Sequence, residues 1–219
     1  MHDSVQNLIN IKNSLETKFK NSEIVKIPKI IAVSKTFKLE RILPLINFGH
    51  LDYGENKVQE AIDKWSDVKD NNPDIKLHLI GKLQTNKTKS AVKLFDYIHS
   101  VDSKKLATKI ADEQLKQNKK IKIFIQINID NEDQKSGINK DGLKDFYSFC
   151  IDLKLDVIGL MCIPPINKSP IEFFKQLNFL NGDLQLNELS MGMSADYLEA
   201  AKESASYIRI GSSIFGPRS

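Results

Sequence analysis

The sequence predicts an α/β fold: a single (β/α)8 barrel of the TIM type with an extra N-terminal helix, residues 1–219 forming one domain. Three observations carry this reading. Eight short apolar segments alternate with segments of helical period from residue 29 to residue 210. The apolar segments are near-continuous, as strands of a parallel sheet buried on both faces require. No Pro/Gly/Ser linker or composition shift divides the chain, and 219 residues can bury one sizeable core. A doubly wound open sheet would give the same alternation, because periodicity does not separate closed sheets from open ones.

Val5, Leu8, Ile9, Ile11, Leu15 and Phe19 recur at helical spacing over 4–20, with Asp3 or Ser4 as N-cap. Pro28 bars a helix, and 29–34 is the first strand. A helix at 39–48, a short strand at 51–53 and a helix at 56–69 follow, closed by the Asn71-Asn72-Pro73 turn. The third strand is 76–80; Asn86 caps a helix running to Phe95; the fourth strand is 96–100, and a helix covers 103–117. The fifth strand, 121–129, is the longest and is rich in β-branched residues. After a polar loop at 130–137 come a helix at 140–150, a strand at 155–161 ending toward Pro164-Pro165, and a helix at 169–181. The last units are a strand at 186–189, a Gly/Ser loop at 190–194, a helix at 195–203, a strand at 206–210 and a second Gly/Ser loop at 211–213.

Composition excludes several classes of function. The net charge of +4 is spread along the chain, and no basic run interleaves with aromatics, so no nucleic-acid track is expected. Lys18, Lys20, Lys116, Lys119 and Lys120 read as solvated helix ends. Cys150 and Cys162 form no CxxC pair, which suggests neither a disulfide framework nor a zinc site and fits a reducing cytoplasmic setting. Asp3 and Gln6 interrupt any signal-peptide pattern, and no apolar run has membrane-spanning length.

In such a barrel the functional residues stand at the C-terminal ends of strands, and phosphate often binds after strands 7 and 8. The two Gly/Ser loops within Leu189–Arg218 fall there by count, and loops of that kind let backbone N–H groups approach an anion. Taken alone they could be tight turns. Lys35 ends strand 1 after five apolar or small residues, so its amine is expected at the barrel mouth, partly desolvated and able to form a Schiff base. Taken singly, Lys35 could be a solvated strand-end lysine, His78 a satisfied interior histidine, and Asn56 and Asp102 helix caps. The combination is more specific. A lysine across the mouth from a phosphate cup suits pyridoxal 5′-phosphate, which carries an aldehyde at one end and a phosphate at the other. Arg209 on strand 8 would lie near the pyridine nitrogen, where a permanent cation disfavours ring protonation and weakens the ring as an electron sink.

The segments Ala32-Val33-Ser34-Lys35-Thr36, Tyr53–Glu60, His78–Lys87, Gly159-Leu160-Met161 with Pro164-Pro165, Leu189–Ser194 and Arg209–Arg218 occur in an order that resembles the pyridoxal phosphate homeostasis protein family. The resemblance runs from about residue 30 to the C-terminus. It implies a barrel like the N-terminal domain of bacterial alanine racemase and pyridoxal 5′-phosphate held as an aldimine on Lys35. It further implies phosphate contacts from the Ser190–Ser194 segment (Ser190, Met191 and Ser194) and from Gly211 and Ser212, with Arg209 at the ring nitrogen and Asn56 and His78 around the pocket. The pattern departs at Phe37-Lys38, where a basic residue and proline are usual, at Leu77 for tryptophan, at Ala195 for an acidic residue and at Ser212 for threonine.

The function the resemblance implies is intracellular storage and delivery of the cofactor without robust catalysis, with apo enzymes as possible partners. An amino-acid racemase is the alternative. Two-base racemization needs a second acid/base on the far face of the ring. Alanine racemases draw it from a separate C-terminal domain that this chain is expected to lack, and Thr36-Phe37 follow Lys35 where those enzymes show a nearby tyrosine. A monomer is expected on the same ground. A phosphosugar enzyme using Lys35 for a substrate Schiff base is a third reading; it predicts a colourless protein, where the carrier would be yellow.

Overall fold

The computed structural model describes residues 1–20, 27–132 and 136–217, so Arg218, at the end of the second loop segment, lies outside the described residues, as do 133–135 of the polar loop. The sheet is closed: β1 (Lys29–Val33), β2 (Asp52–Glu55), β3 (Lys76–Leu79), β4 (Tyr97–Val101), β5 (Lys122–Gln126), β6 (Asp156–Met161), β7 (Glu188–Met193) and β8 (Tyr207–Ile210) pair in sequence order. Every pairing is parallel, and β8 returns to β1 with Ile31 opposite Arg209. The open-sheet alternative is thereby excluded. The helices α1 (Asp3–Phe19), α2 (Leu39–Asn47), α3 (Val58–Asn71), α4 (Thr88–Leu94), α5 (Lys104–Gln117), α6 (Leu143–Asp152), α7 (Ile171–Asp183), α8 (Tyr197–Lys202) and α9 (Ser212–Phe215) complete the described chain.

Alternation along the strands divides the apolar residues into two cores. The larger lies between barrel and helices, where Tyr53, Trp65, Phe95 and Phe174 are fully buried. The smaller fills the barrel: Ile31, Tyr97, Phe124, Met161 and Tyr207. Two histidines belong to this interior, His78 stacked on Tyr97 (centroids 4.2 Å apart) and His99 stacked on Phe124 (4.3 Å). The extra helix α1 buries Val5, Leu8, Ile11, Leu15 and Phe19 and packs on α2 and α9. Asn7 Nδ2 and Arg41 Nη2 donate to the Ile214 and Phe215 carbonyls (3.1 and 2.7 Å), which anchors α9 beside the mouth.

The boundaries differ from the sequence reading at several points. His2, not Asp3 or Ser4, caps α1, its side chain accepting from Ser4 N–H. Strand β2 runs on to Glu55, and Ser212 of the expected second Gly/Ser loop already opens α9. Strand β5 stops at Gln126 instead of 129, because the following chain folds back: Ile138 N–H donates to the Gln126 carbonyl and Asn128 N–H to the Ile138 carbonyl. Helix α4 is preceded by a single 3-10 turn, Thr85–Lys87, so Asn86 lies inside that turn and does not cap the helix. Ser103, not Asp102, caps α5, its side chain accepting from Leu106 N–H. Strand β7 runs on through Met193, so most of the expected first Gly/Ser loop is strand. It stays paired through a register shift between Ser190 and Met193. Gly192, with φ +89°, accommodates the shift; a Cβ there would overlap Ala200, so the position needs glycine.

Candidate functional site

The C-terminal ends of β1, β2, β7 and β8 surround a cavity of about 570 Å³. Lys35, two residues past β1, lines one wall and is half-buried. Asn56, directly after β2, lines the cavity beside it. Gly81, after β3, lets this corner form, since a Cβ there would overlap the Asn56 carbonyl. Ser194 follows β7, and Gly211 and Ser212 follow β8; all three line the cavity, the β8 residues next to β1, where Gly211 lies against Val33. The Gly211 and Ser213 N–H groups converge on Ser194 Oγ, both at 3.4 Å. Those separations are long for N–H···O bonds, so the donors are only weakly satisfied by the protein. Val33, Phe37, Ile80, Ile163 and Met193 supply apolar walls.

Arg209 reaches the cavity from β8, yet it is only 5% exposed. Its Nη1 donates to Ser190 Oγ (2.7 Å) and its Nη2 to the Cys162 carbonyl (2.9 Å). The hydrogen-bond directions are set from the Asp52 end, because an ionised carboxylate only accepts: His78 donates from Nε2 to Asp52 Oδ1 (3.0 Å). An uncharged His78 then accepts at Nδ1 from His99 Nε2 (3.0 Å), and an uncharged His99 accepts at Nδ1 from the Ser190 hydroxyl (2.8 Å), whose oxygen accepts from Arg209. Both histidines are neutral in this chain. That agrees with burial, which pushes His78 below the usual imidazole range and His99 far below it, the latter helped by His78 and Arg209. A guanidinium at the mouth and a carboxylate near the barrel floor are thus linked by oriented hydrogen bonds.

Three of the residues named from sequence fall outside the cavity lining. Ser190 and Met191 are fully buried within β7, not in a loop: Ser190 faces the interior and holds Arg209, while Met191 belongs to the core beneath the helices. His78 is also fully buried, midway along the chain to Asp52. The resemblance implies all three around the pocket; the extension of β7 takes Ser190 and Met191 out of the expected loop, and His78 is the satisfied interior histidine that its place within β3 also allows. Sequence reasoning missed Asp52, His99 and the Cys162 carbonyl. Alternation on β4 was the available signal for His99, since it shares Tyr97's face.

Acid should weaken the fold at this end of the barrel. His50, whose Nε2 lies 2.9 Å from the Asp52 carbonyl, is pushed down from 6.5 to about 4, chiefly by burial. Unfolding frees it to bind a proton below its ordinary pKa. Its contribution is present above about pH 6.5 and is lost as the pH falls toward 4. For His50 alone this is roughly 3 kcal/mol, and His78 and His99 act in the same direction. Urea titrations at neutral pH and near pH 4 should show that loss in the midpoint; equal midpoints would contradict neutral buried histidines.

Among the described residues no group of histidine, cysteine and carboxylate side chains could hold a metal ion, and no helix is long and apolar enough to cross a membrane. Burial pushes the Cys162 thiol up to about 12, so it is no nucleophile at neutral pH.

The alanine racemase N-terminal domain family matches residues 13–219. Pyridoxal phosphate homeostasis proteins are similar along most of their length: that of Aquifex aeolicus is 38% identical over 200 residues, 87% of each chain, and that of Pasteurella multocida 36% over 201 residues, 87% of this chain and 86% of that one. PipY of Synechococcus elongatus, solved without pyridoxal phosphate, superimposes with a TM-score of 0.88 at 32% identity, covering 98% of this chain and all of PipY; the PipY structure with pyridoxal phosphate bound gives 0.85 at 32% over 97% of this chain and all of that one. Alanine racemase of Clostridium difficile shares the fold, with a TM-score of 0.74 at 15% identity over 97% of this chain and 56% of the enzyme. The closed eight-stranded barrel and the extent of these identities place the chain in the pyridoxal phosphate homeostasis protein family, built on the alanine racemase N-terminal domain.

Proposed function

We propose that the cavity binds pyridoxal 5′-phosphate, with the Lys35 amine joined to its aldehyde carbon as a Schiff base and water released. The observation that carries this is one cavity lined both by a lysine and by a loop pair with converging N–H and hydroxyl groups. Its volume of about 570 Å³ suits a small aromatic phosphate. The weakly satisfied Gly211 and Ser213 N–H groups, with the Ser194 and Ser212 hydroxyls, would hold the phosphate, and Asn56 stands beside the lysine. Arg209 would face the pyridine nitrogen, with Ser190, His99 and His78 acting on the ring only through it.

When bound, the cofactor supplies an electrophilic carbon and an aromatic electron sink. The protein restrains that chemistry in two ways. A fixed guanidinium disfavours protonation of the nitrogen. Lys35 and Arg209 are the only titratable side chains among the described residues lining the cavity, so no second acid/base is at hand for two-base racemization. The function that fits is holding and handing over the cofactor in the cytoplasm, as a monomer, with apo enzymes as recipients.

The test is transfer. Protein loaded with one equivalent of cofactor is mixed with an apo acceptor, and the loss of its yellow band is compared with loss to a non-protein aldehyde trap. Direct delivery predicts faster loss to the acceptor. Equal rates would leave storage as the function and remove delivery.

A further inference from the structure

Behind the wall that carries Lys35 lies a partly buried ionic cluster of Lys64, Glu55 and Glu60, none of which lines the cavity. Lys64, on α3, has a side chain only 8% exposed. Its ammonium donates to the Ser34 carbonyl (2.9 Å), to Glu55 Oε1 (2.9 Å) and to Glu60 Oε1 (3.0 Å), which uses all three of its hydrogens. Glu55, fully buried at the end of β2, also accepts from Ser34 Oγ (2.7 Å) and Trp65 Nε1 (3.0 Å). Glu60 accepts the Thr36 N–H. The residue before Lys35 is thus held through its carbonyl and hydroxyl, and the residue after it through its amide.

The second of these flanking residues is in an unfavourable conformation. Thr36 has φ 68°, and a β-branched side chain occupies the left-handed region only where its surroundings enforce it. The enforcing groups are Glu60, which takes the Thr36 amide, and Lys64, which bonds both Glu60 and the Ser34 carbonyl. Phe37 N–H closes the same turn on that carbonyl at 3.2 Å.

We infer that Lys64 is a positioning residue for Lys35: with Glu55 and Glu60 it locks the Ser34-Lys35-Thr36 turn and so fixes where the Lys35 amine enters the cavity. The consequence for the cofactor rests on Lys35 being its attachment point. Lys64 itself is spent on three acceptors and is not a second attachment point.

Helix α3 offers an internal control. Lys69 makes an equivalent clamp elsewhere, donating to Asp96 Oδ2 (2.5 Å) and to the Leu94 carbonyl (2.9 Å). The variants are Lys64→Met, Lys64→Arg, Lys69→Met and Glu60→Ala. The last frees the Thr36 amide while leaving the buried Glu55–Lys64 pair intact, and it serves if Lys64→Met does not fold. Amide hydrogen exchange of residues 34–37, measured without cofactor, should accelerate at least tenfold in Lys64→Met and in Glu60→Ala, but not in Lys69→Met. Cofactor dissociation should accelerate at least tenfold in the same two variants, with Lys64→Arg restoring most of both effects. Unchanged exchange in Glu60→Ala would overturn the clamp. Faster exchange with unchanged dissociation would reduce Lys64 to a stability residue and overturn the positioning role. If borohydride reduction labels no lysine 35 in the unaltered protein, the attachment reading fails on its own, and the exchange measurement still decides the clamp.

Discussion

Lys35→Ala should abolish the visible Schiff-base band of the cofactor-loaded protein while leaving the fold intact. The side chain lies half-buried at the mouth, so its truncation removes little from either core. The proposed phosphate contacts of Ser194, Gly211 and Ser212 are untouched, so the variant should still take up the cofactor, now as a free aldehyde. Affinity should fall at least tenfold, about 1.4 kcal/mol, since one end of the ligand is no longer tethered. A titration followed by absorbance and by equilibrium dialysis separates the two effects. A variant that kept the band unchanged would move the attachment to another amine.

Changing Arg209 should alter the cofactor's chemistry more than its retention. Arg209→Glu places an anion where the guanidinium stood, and an opposite charge favours protonation of the pyridine nitrogen. The ring then becomes a stronger electron sink, and exchange of the α-hydrogen of an added amino acid with solvent deuterium should rise at least about tenfold. The change has a structural cost. It leaves the Cys162 carbonyl and the Ser190–His99 chain without their buried donor, a loss of about 2–5 kcal/mol in stability. Arg209→Gln keeps one donor without the charge and should show a smaller rise in exchange, so the measurement survives if the glutamate variant does not fold. Unaltered exchange and an unaltered absorbance–pH profile in both would mean that Arg209 does not face the nitrogen.

The barrel was legible because short strands, several of them nearly pure apolar runs such as β1 and β5, alternate regularly with helical segments, and the strand count alone carries the Gly211-Ser212 turn to the mouth beside Lys35. Depth was less legible. Strand-end counting cannot see a register shift, so the extension of β7 past Ser190 moved that residue and Met191 inside. Roles that depend on partners were not legible at all. Asp52 and His99 acquire theirs from a hydrogen-bond chain that joins the Asp52 carboxylate to Arg209 across the barrel, and Lys64 from Glu60 one turn earlier on α3 together with Glu55 and the Ser34 carbonyl on other segments. In sequence each of these reads as an ordinary surface or strand residue.

Borohydride reduction of the cofactor-loaded protein, followed by digestion and mass spectrometry, tests the central claim most directly. A single site at Lys35, on the peptide that carries Ser34 and Thr36, is the predicted result. Label on another lysine, or no label at all in a protein that has turned yellow, would contradict it.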